Sequence, residues 1–296
     1  MNRTALDQYE EIVTDALKSC SAKLRKSFKT AFIQIMILYM ILPRKINFTQ
    51  MGRYSDSSEQ RFRQLFEREF DWMQFNLFLM RQRFGESVRK AIAIDASYIS
   101  KSGKKTPYIG KFWSGCASQV KRGLEILGIG IIDIDSRDCM MLRAEQTPDK
   151  AYLEKQGEDY NLVDWYLDVL RKYKDKLLRI TRYVVADAWF SKAKFVGEAC
   201  LLGFHVISRL RDDAALWYAH DGVRTGKRGR PRIKGEKIDF ENLDLQRCEI
   251  LDIEGGRAYS VKAYSKAMKR NIKVVVHYPE SGGHKIYFST DLDMAA

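Results

Sequence analysis

Two aspartates stand in matching surroundings. Asp95 closes the apolar run "AIAI" within "IAIDASYISKSGKK", and Asp187 closes "YVVA" within "YVVADAWF". Each run reads as a buried strand that brings out a carboxylate at its end. In open α/β sheets, reacting groups gather where strands end and loops begin. Two carboxylates at one sheet edge offer oxygen ligands to hard cations, Mg2+ or alternatively Mn2+. Such ions activate a water or a 3′-hydroxyl and stabilise the leaving oxygen during in-line attack on a phosphodiester. Lys101, Lys104, Lys105 and Lys111 follow Asp95 closely, and their charge suits a polyanionic substrate. The plainer alternative is that each Asp caps a turn or the next helix.

The composition agrees with a basic partner-binding protein. Over 296 residues, 51 Lys and Arg face 38 Asp and Glu, a formal charge of +13. That excess points to nucleic acid before membrane, with a generally solvated basic surface as the alternative. The chain is 45% hydrophobic and 12% aromatic, enough for a sizeable core, and its length suits one large domain with an appendage, or two domains. Five cysteines are scattered without a CxxC pair, which argues for a reducing cytosol and against structural zinc. No secretory signal is recognised. The run "AFIQIMILYMIL" (31–42) is short for a bilayer and contains Gln34, so a buried helix ending before Pro43 is expected.

The elements that must position the two acids follow from periodicity. Residues 1–85 read as helical, with Thr4 as an N-cap and Leu6, Tyr9, Val13 and Leu17 on one face. In "SSEQRFRQLFEREFDWMQF", Ser57 and Gln60 have capping-box spacing, and Phe62, Leu65, Phe66 and Trp72 form a core face. Two short helices around a turn at 52–56 would make a helix-turn-helix presenting Arg61 and Arg63 to DNA; a plain helical bundle with arginines in water fits equally. From about Lys90 the pattern becomes α/β. "KAIAID" is a short strand, "LEILGIGIIDID" and "CMMLRAEQ" are an antiparallel pair, and "YNLVDWYLDVLRKYKDKLL" is an amphipathic helix. "RYVVADAWF" is a strand, a helix runs from about Lys192 to Gly203, and "FHVISRL" is the next strand. This order implies a mixed sheet over 86–213. Residues 214–296 read as a β-rich insertion, with hairpin turns at Gly255-Gly256 and Gly282-Gly283.

Other motifs carry less. "KRGRPRIKG" (227–235) has the Arg-Gly-Arg-Pro core of a minor-groove hook, in which Arg228, Arg230 and Arg232 would grip DNA; a solvated basic loop on phosphates is the alternative. "SGKKT" lacks the earlier glycine of a phosphate-binding loop, and the four histidines have no metal-ligand spacing. Trp113 and Tyr108 beside Lys111 could stack on an exposed base, but they are more simply read as buried, as is Trp189.

The stretches "IAIDASYISKSGKKTPYIGKFWSG" and "YVVADAWFSK" resemble the first and second acidic motifs of DDE-type insertion-sequence transposases, in particular those with a β-rich insertion between the second and third acids. The resemblance covers about residues 40–296. It implies a ribonuclease H-like core, two Asp and one Glu binding two Mg2+, and cutting of transposon ends and joining to target DNA. Asp95 would be the first acid and Asp187 the second. It also implies double-stranded DNA as partner, a dimer on DNA, no membrane, and a cytoplasmic, bacterial, nucleoid-associated setting. The third acid of that family, a Glu in a tyrosine–arginine–glutamate–lysine signature on a helix after the insertion, has no match. The sequence reaches "YFSTDLDMAA" where that helix would start, and Asp291 and Asp293 read as its leading turn. The chain is therefore read as truncated before the third acidic residue and catalytically incomplete. The rival readings are a binding-only inhibitor of the full-length enzyme and a nuclease of the same fold.

Overall fold

A computed structural model describes residues 4–20, 24–43, 45–85, 89–103, 105–220 and 233–295. It divides into two compact units, Met1–Ser87 and Val88–Ala296.

The first unit is helical: α1 (Ala5–Ser19), α2 (Lys26–Ile41), α3 (Phe48–Arg53), α4 (Glu59–Phe66) and α5 (Trp72–Phe84). Thr4 caps α1 in a reciprocal capping box with Asp7. Val13, Ala16 and Leu17 bury against Phe32 of α2 and Phe75 of α5. Leu6, expected on that face, is exposed because it lies in the first turn, beyond the packed stretch. Similarly α2 is buried through Ala31, Phe32 and Leu38, but its last residues, Tyr39, Met40 and Ile41, are exposed.

The anticipated short helix pair forms. A second cluster of Leu38, Leu42, Met51 and Phe62 holds α3 and α4 against α2. Gly52 permits this closeness: a Cβ there would stand 3.0 Å from the backbone nitrogen of Glu59. Two sequence expectations are corrected. The cap of α4 is Ser58, which accepts from the Arg61 N–H, whereas Ser57 donates to Gln34 Oε1 at 3.0 Å. The helix also breaks after Phe66, and Asp71 caps α5 separately. Trp72 and Phe66 consequently lie outside the Phe62 core and are partly exposed.

The second unit is a mixed α/β layer. Its elements are β1 (Lys90–Ser100), β2 (Gly110–Ser114), β3 (Gln119–Asp133), β4 (Asp138–Gln146), α6 (Lys150–Gln156), α7 (Leu162–Leu178), β5 (Tyr183–Ala186), α8 (Ala193–Leu201), β6 (His205–Leu210), β7 (Leu216–Ala219), β8 (Lys234–Lys237), β9 (Glu249–Leu251), β10 (Gly256–Ser265), β11 (Arg270–Pro279) and β12 (Lys285–Ser289). One sheet runs β2-β3-β1-β5-β6-β12-β11-β10-β7-β8, with β4 also on β3 and β9 on β10. β1, β3 and β4 are an antiparallel meander, and β5 and β6 add to β1 in parallel through helical crossovers. That is a ribonuclease H-like core. The β-rich residues after 214 continue the same sheet, because β12 pairs antiparallel with β6. The hairpins turn at the expected glycines, where Gly255, Gly282 and Gly283 adopt positive φ.

Alternation fixes which face each strand residue serves. Ile92, Ile94, Leu127, Ile129, Ile131, Val184 and Val206 are buried on one face. Helix α7 covers it, and its Tyr166 and Tyr173 hydroxyls donate to Glu125 and Glu145 of β3 and β4. The other face carries Ala93, Ile126, Gly128, Gly130, Val185 and Ile207, all only half-buried. Among the described residues no helix is long and apolar enough to cross a membrane.

Candidate active site

In the parallel ladder of β1 and β5, Ile94 pairs with Ala186, and no pair follows. Asp95 and Asp187 are the next residues on the two strands. They share the half-buried face with Ala93 and Val185, on strands about 4.8 Å apart. The sequence expectation that both strands end on an acid is half right. β5 ends there, but β1 runs on to Ser100, held by antiparallel pairing with β3 as far as Ser100–Gly123. Residues Ser97 to Ile99 suit an extended, half-exposed ribbon, so the strand continues where its parallel neighbour stops.

The neighbour stops because Asp187 turns the chain. Its Oδ1 accepts from the Trp189 N–H at 3.0 Å, capping a single 3-10 turn over Ala188–Phe190. Its carbonyl accepts from Ser208 Oγ at 2.8 Å, which ties the turn to β6. The capping role and a ligand role coexist, since one carboxylate offers about four lone-pair positions.

Where β1 has lost its parallel neighbour, a cleft of about 460 Å³ opens. Asp95, Ala96, Lys111, Phe112, Trp113, Glu125, Tyr166, Asp187, Trp189 and Phe190 line it. Burial pushes the Asp95 carboxyl above its ordinary pKa, and the negative charge of Asp187 raises it further, against the Ala96 N–H that lowers it. Two like charges on adjacent strands thus oppose each other. Burial lowers the Lys192 pKa, with Asp187 acting against it, and Lys192 Nζ lies 3.4 Å from the centre of the Trp189 ring.

The structure sorts the remaining sequence candidates. Lys111 lines the cleft with the acids. Lys101 and Lys105 are exposed on the connection between β1 and β2. Lys104, Arg228, Arg230 and Arg232 lie outside the described residues. In the helical unit, Arg61 lines a shallow groove with Lys26, Gln34 and Ser57. Arg63 is ion-paired with Glu59 of its own helix and lies 5.0 Å over the Phe48 ring.

Three aromatic expectations are corrected, beginning with the tryptophans: Trp113 is 60% exposed and Trp189 39% exposed, and both face the cleft rather than the core. Tyr108, on the connection, is exposed as well. Asp291 and Asp293 do not approach the pair. Asp291 accepts from the Tyr183 hydroxyl at 2.7 Å, at the opposite end of β5, and also from the Asp293 N–H. Sequence reading missed Glu125. Its signal was its phase: in "LEILGIGII" it falls on the same buried face as Leu127 and Ile129.

A family model described as DDE superfamily endonuclease matches residues 25–268, including both aspartates. The chain belongs to this family. No curated protein matches it. A solved cryo-EM structure of a piggyBac transposase synaptic complex with hairpin DNA aligns over 100% of this chain and 54% of that one. The identity is 12% and the TM-score 0.36. This chain spans about half the length of that transposase, and a likeness at that level assigns it neither substrate nor partner.

Nucleases of the DDE superfamily generally use divalent metal ions. The donor chemistry of Asp95 and Asp187 fits such an ion: two oxygen donors whose mutual repulsion a cation relieves. Mg2+ is commonly held by one or two carboxylates, with waters and substrate phosphates completing the shell. Among the described residues no three His, Cys, Asp or Glu side chains are grouped to hold a metal ion, so the acids here are a pair.

Proposed function

We propose that the protein is a transposase of an insertion sequence, acting on double-stranded DNA at transposon ends by metal-dependent cleavage and strand transfer. The reading rests above all on one observation: Asp95 and Asp187 follow the last ladder pair of two adjacent parallel strands, in a DDE superfamily endonuclease. Asp95 and Asp187 hold Mg2+, or Mn2+ in its place. The bound ion supplies charge neutralisation at the phosphodiester and a lowered pKa for the attacking hydroxyl. Lys111 holds a strand at the cleft, Lys101 and Lys105 extend that contact along the β1–β2 connection, and the segment with Arg228, Arg230 and Arg232 makes a second grip. The helical unit up to residue 85 is the end-binding part, with Arg61 and Arg63 on α4. The protein works as a dimer on paired ends.

A second reading has its own support. The described residues contribute two acids, and the sheet face bearing them is only half-buried. We infer that a third carboxylate has to be laid onto that face before cleavage is efficient. A chain without it binds ends and competes with a complete enzyme. Incubating the protein with terminal DNA and Mg2+ tests both. Joined products support strand transfer, nicks alone support a hydrolase, and binding without either supports the competitor. Affinity for duplex should fall about a thousandfold between 50 and 200 mM salt if six or more phosphates are contacted. A flat salt response would remove DNA as the partner.

A further inference from the structure

The cleft beside the acid pair contains more than the proposed reaction uses. Its walls are aromatic: Phe112, Tyr166 and Phe190 are buried, and Trp113 and Trp189 are exposed at the rim. Tyr166 and Trp189 meet edge-on with ring centres 5.4 Å apart, and Trp189 and Phe190 likewise at 5.1 Å. On this apolar wall sits one carboxylate, Glu125, only 7% exposed. One of its oxygens accepts from the Tyr166 hydroxyl at 2.6 Å. Among the described residues no cationic side chain pairs with it. A buried carboxylate so thinly partnered is costly, and most of its acceptor capacity is left to the cleft that it lines.

We propose, building on the DNA reading above, that this cleft receives one nucleobase unstacked from the strand at Asp95 and Asp187, and that Glu125 selects guanine. The volume, about 460 Å³, lies within the range of small-ligand pockets. Exposed tryptophans supply stacking surfaces, which every base can use. Lys111 at the same cleft neutralises the backbone that follows the base. Selection comes from the carboxylate. Guanine presents N1–H and its 2-amino group side by side, two donors that match two carboxylate oxygens. Thymine offers one N–H flanked by carbonyl oxygens, which a carboxylate repels. Adenine and cytosine offer a single amino group beside a ring acceptor. Tyr166 is a positioning residue, fixing the Glu125 rotamer while its ring backs Trp189.

The test uses the whole chain and short fluorescent single strands, d(TTGTT), d(TTITT) with inosine, and d(TTTTT), with binding read by polarisation. The guanine strand should bind roughly tenfold or more tightly than the thymine strand, the scale of a bidentate base contact. Inosine, lacking the 2-amino group, should lose most of that gain. Glu125→Gln should bring the guanine and thymine strands within about twofold of each other, by weakening the first and relieving the carboxylate's repulsion of the second. Replacing Trp113 and Trp189 together by Ala should weaken all three strands about tenfold. Equal binding of guanine and thymine strands by the wild type overturns the proposal, as does a guanine preference that survives Glu125→Gln. If that variant does not fold by circular dichroism, the wild-type guanine–inosine comparison decides, and equality sinks the proposal. Salt-sensitive duplex binding that persists without base preference removes only the pocket; loss of all DNA binding removes the transposase reading as well.

Discussion

Two acidic positions in one sheet are treated in opposite ways. Glu145 on β4 is crowded by partners: Tyr173 donates to it, Arg143 Nε and Lys172 Nζ each lie 3.0 Å from Oε1, and its side chain is 17% exposed. Burial pushes its pKa up, but the hydrogen bonds from Tyr173, Lys172 and Arg143 outweigh burial and hold the carboxyl below its ordinary value. Asp95, two strands away, has no such escort. Burial raises it, and so does the charge of another carboxylate, Asp187. Folding has satisfied the first acid and left the second in tension. An acid that is fully partnered locks a helix onto a strand. An acid that is raised by burial and by a like charge, with the Ala96 N–H acting against them, is one that a bound cation would stabilise.

The largest way to break this contrast is through chemistry. Asp95→Asn or Asp187→Asn should lower metal-dependent cleavage, in whatever assembly cleaves, by on the order of 10³-fold, the scale of losing several kcal/mol of metal-borne stabilisation. Duplex binding should stay within about twofold, because phosphate contacts supply the affinity. Cleavage that survives either change would undo the assignment of the pair. Glu145→Ala, by contrast, should leave the chemistry of the folded protein intact and act on stability. Removing the acceptor of a charge-assisted network strands Arg143 and the Tyr173 hydroxyl, at a cost of about 1–3 kcal/mol in urea unfolding. Lys172, 59% exposed, adds little because water replaces its partner. A neutral result would mean that the network is decorative.

The difference also explains what could be read beforehand. The alternation in "LEILGIGIIDID" and the stripe along α7 were legible because one face of each is buried, and burial writes periodicity into sequence. Asp95 and Asp187 were legible because each interrupts an apolar run. The true extent of β1 was not, since Ser97 to Ser100 are extended only through pairing with β3, more than twenty residues away. Ser58 rather than Ser57 as the cap of α4 was a one-residue ambiguity between identical side chains, resolved by Gln34 from another helix. The exposure of Trp113 and Trp189 was hidden for a related reason: aromatic residues usually mark a core, and only the gap beside β1 turns these two into cleft walls. Asp291 shows the converse. In sequence it reads only as the leading turn of a further helix, and the antiparallel return of β12 along β6 delivers it to the far edge, away from the acids.

The smallest effect separates the two acids by the sign of their pH dependence. Glu145 has a folded-state pKa below its unfolded one, so its contribution is present above about pH 4.3 and is lost as pH falls. Asp95 has a raised folded-state pKa. Its contribution is complete below about pH 3.9 and is lost as pH rises through the folded value, so at neutral pH the ionised group weighs against the fold. Replacing it by Asn removes that charge. Asp95→Asn without divalent metal should therefore melt about 1–2 °C above wild type near pH 7, a small gain because water screens an exposed site. The gain should shrink toward zero near pH 3.5, where both chains carry a neutral side chain at 95. Added Mn2+ should close it from the other side, raising the wild type more than the variant because the ion binds only the ionised pair. A variant less stable than wild type at neutral pH, with no metal present, would place Asp95 with Glu145 among the partnered acids and remove the electrostatic ground for a cation at the pair.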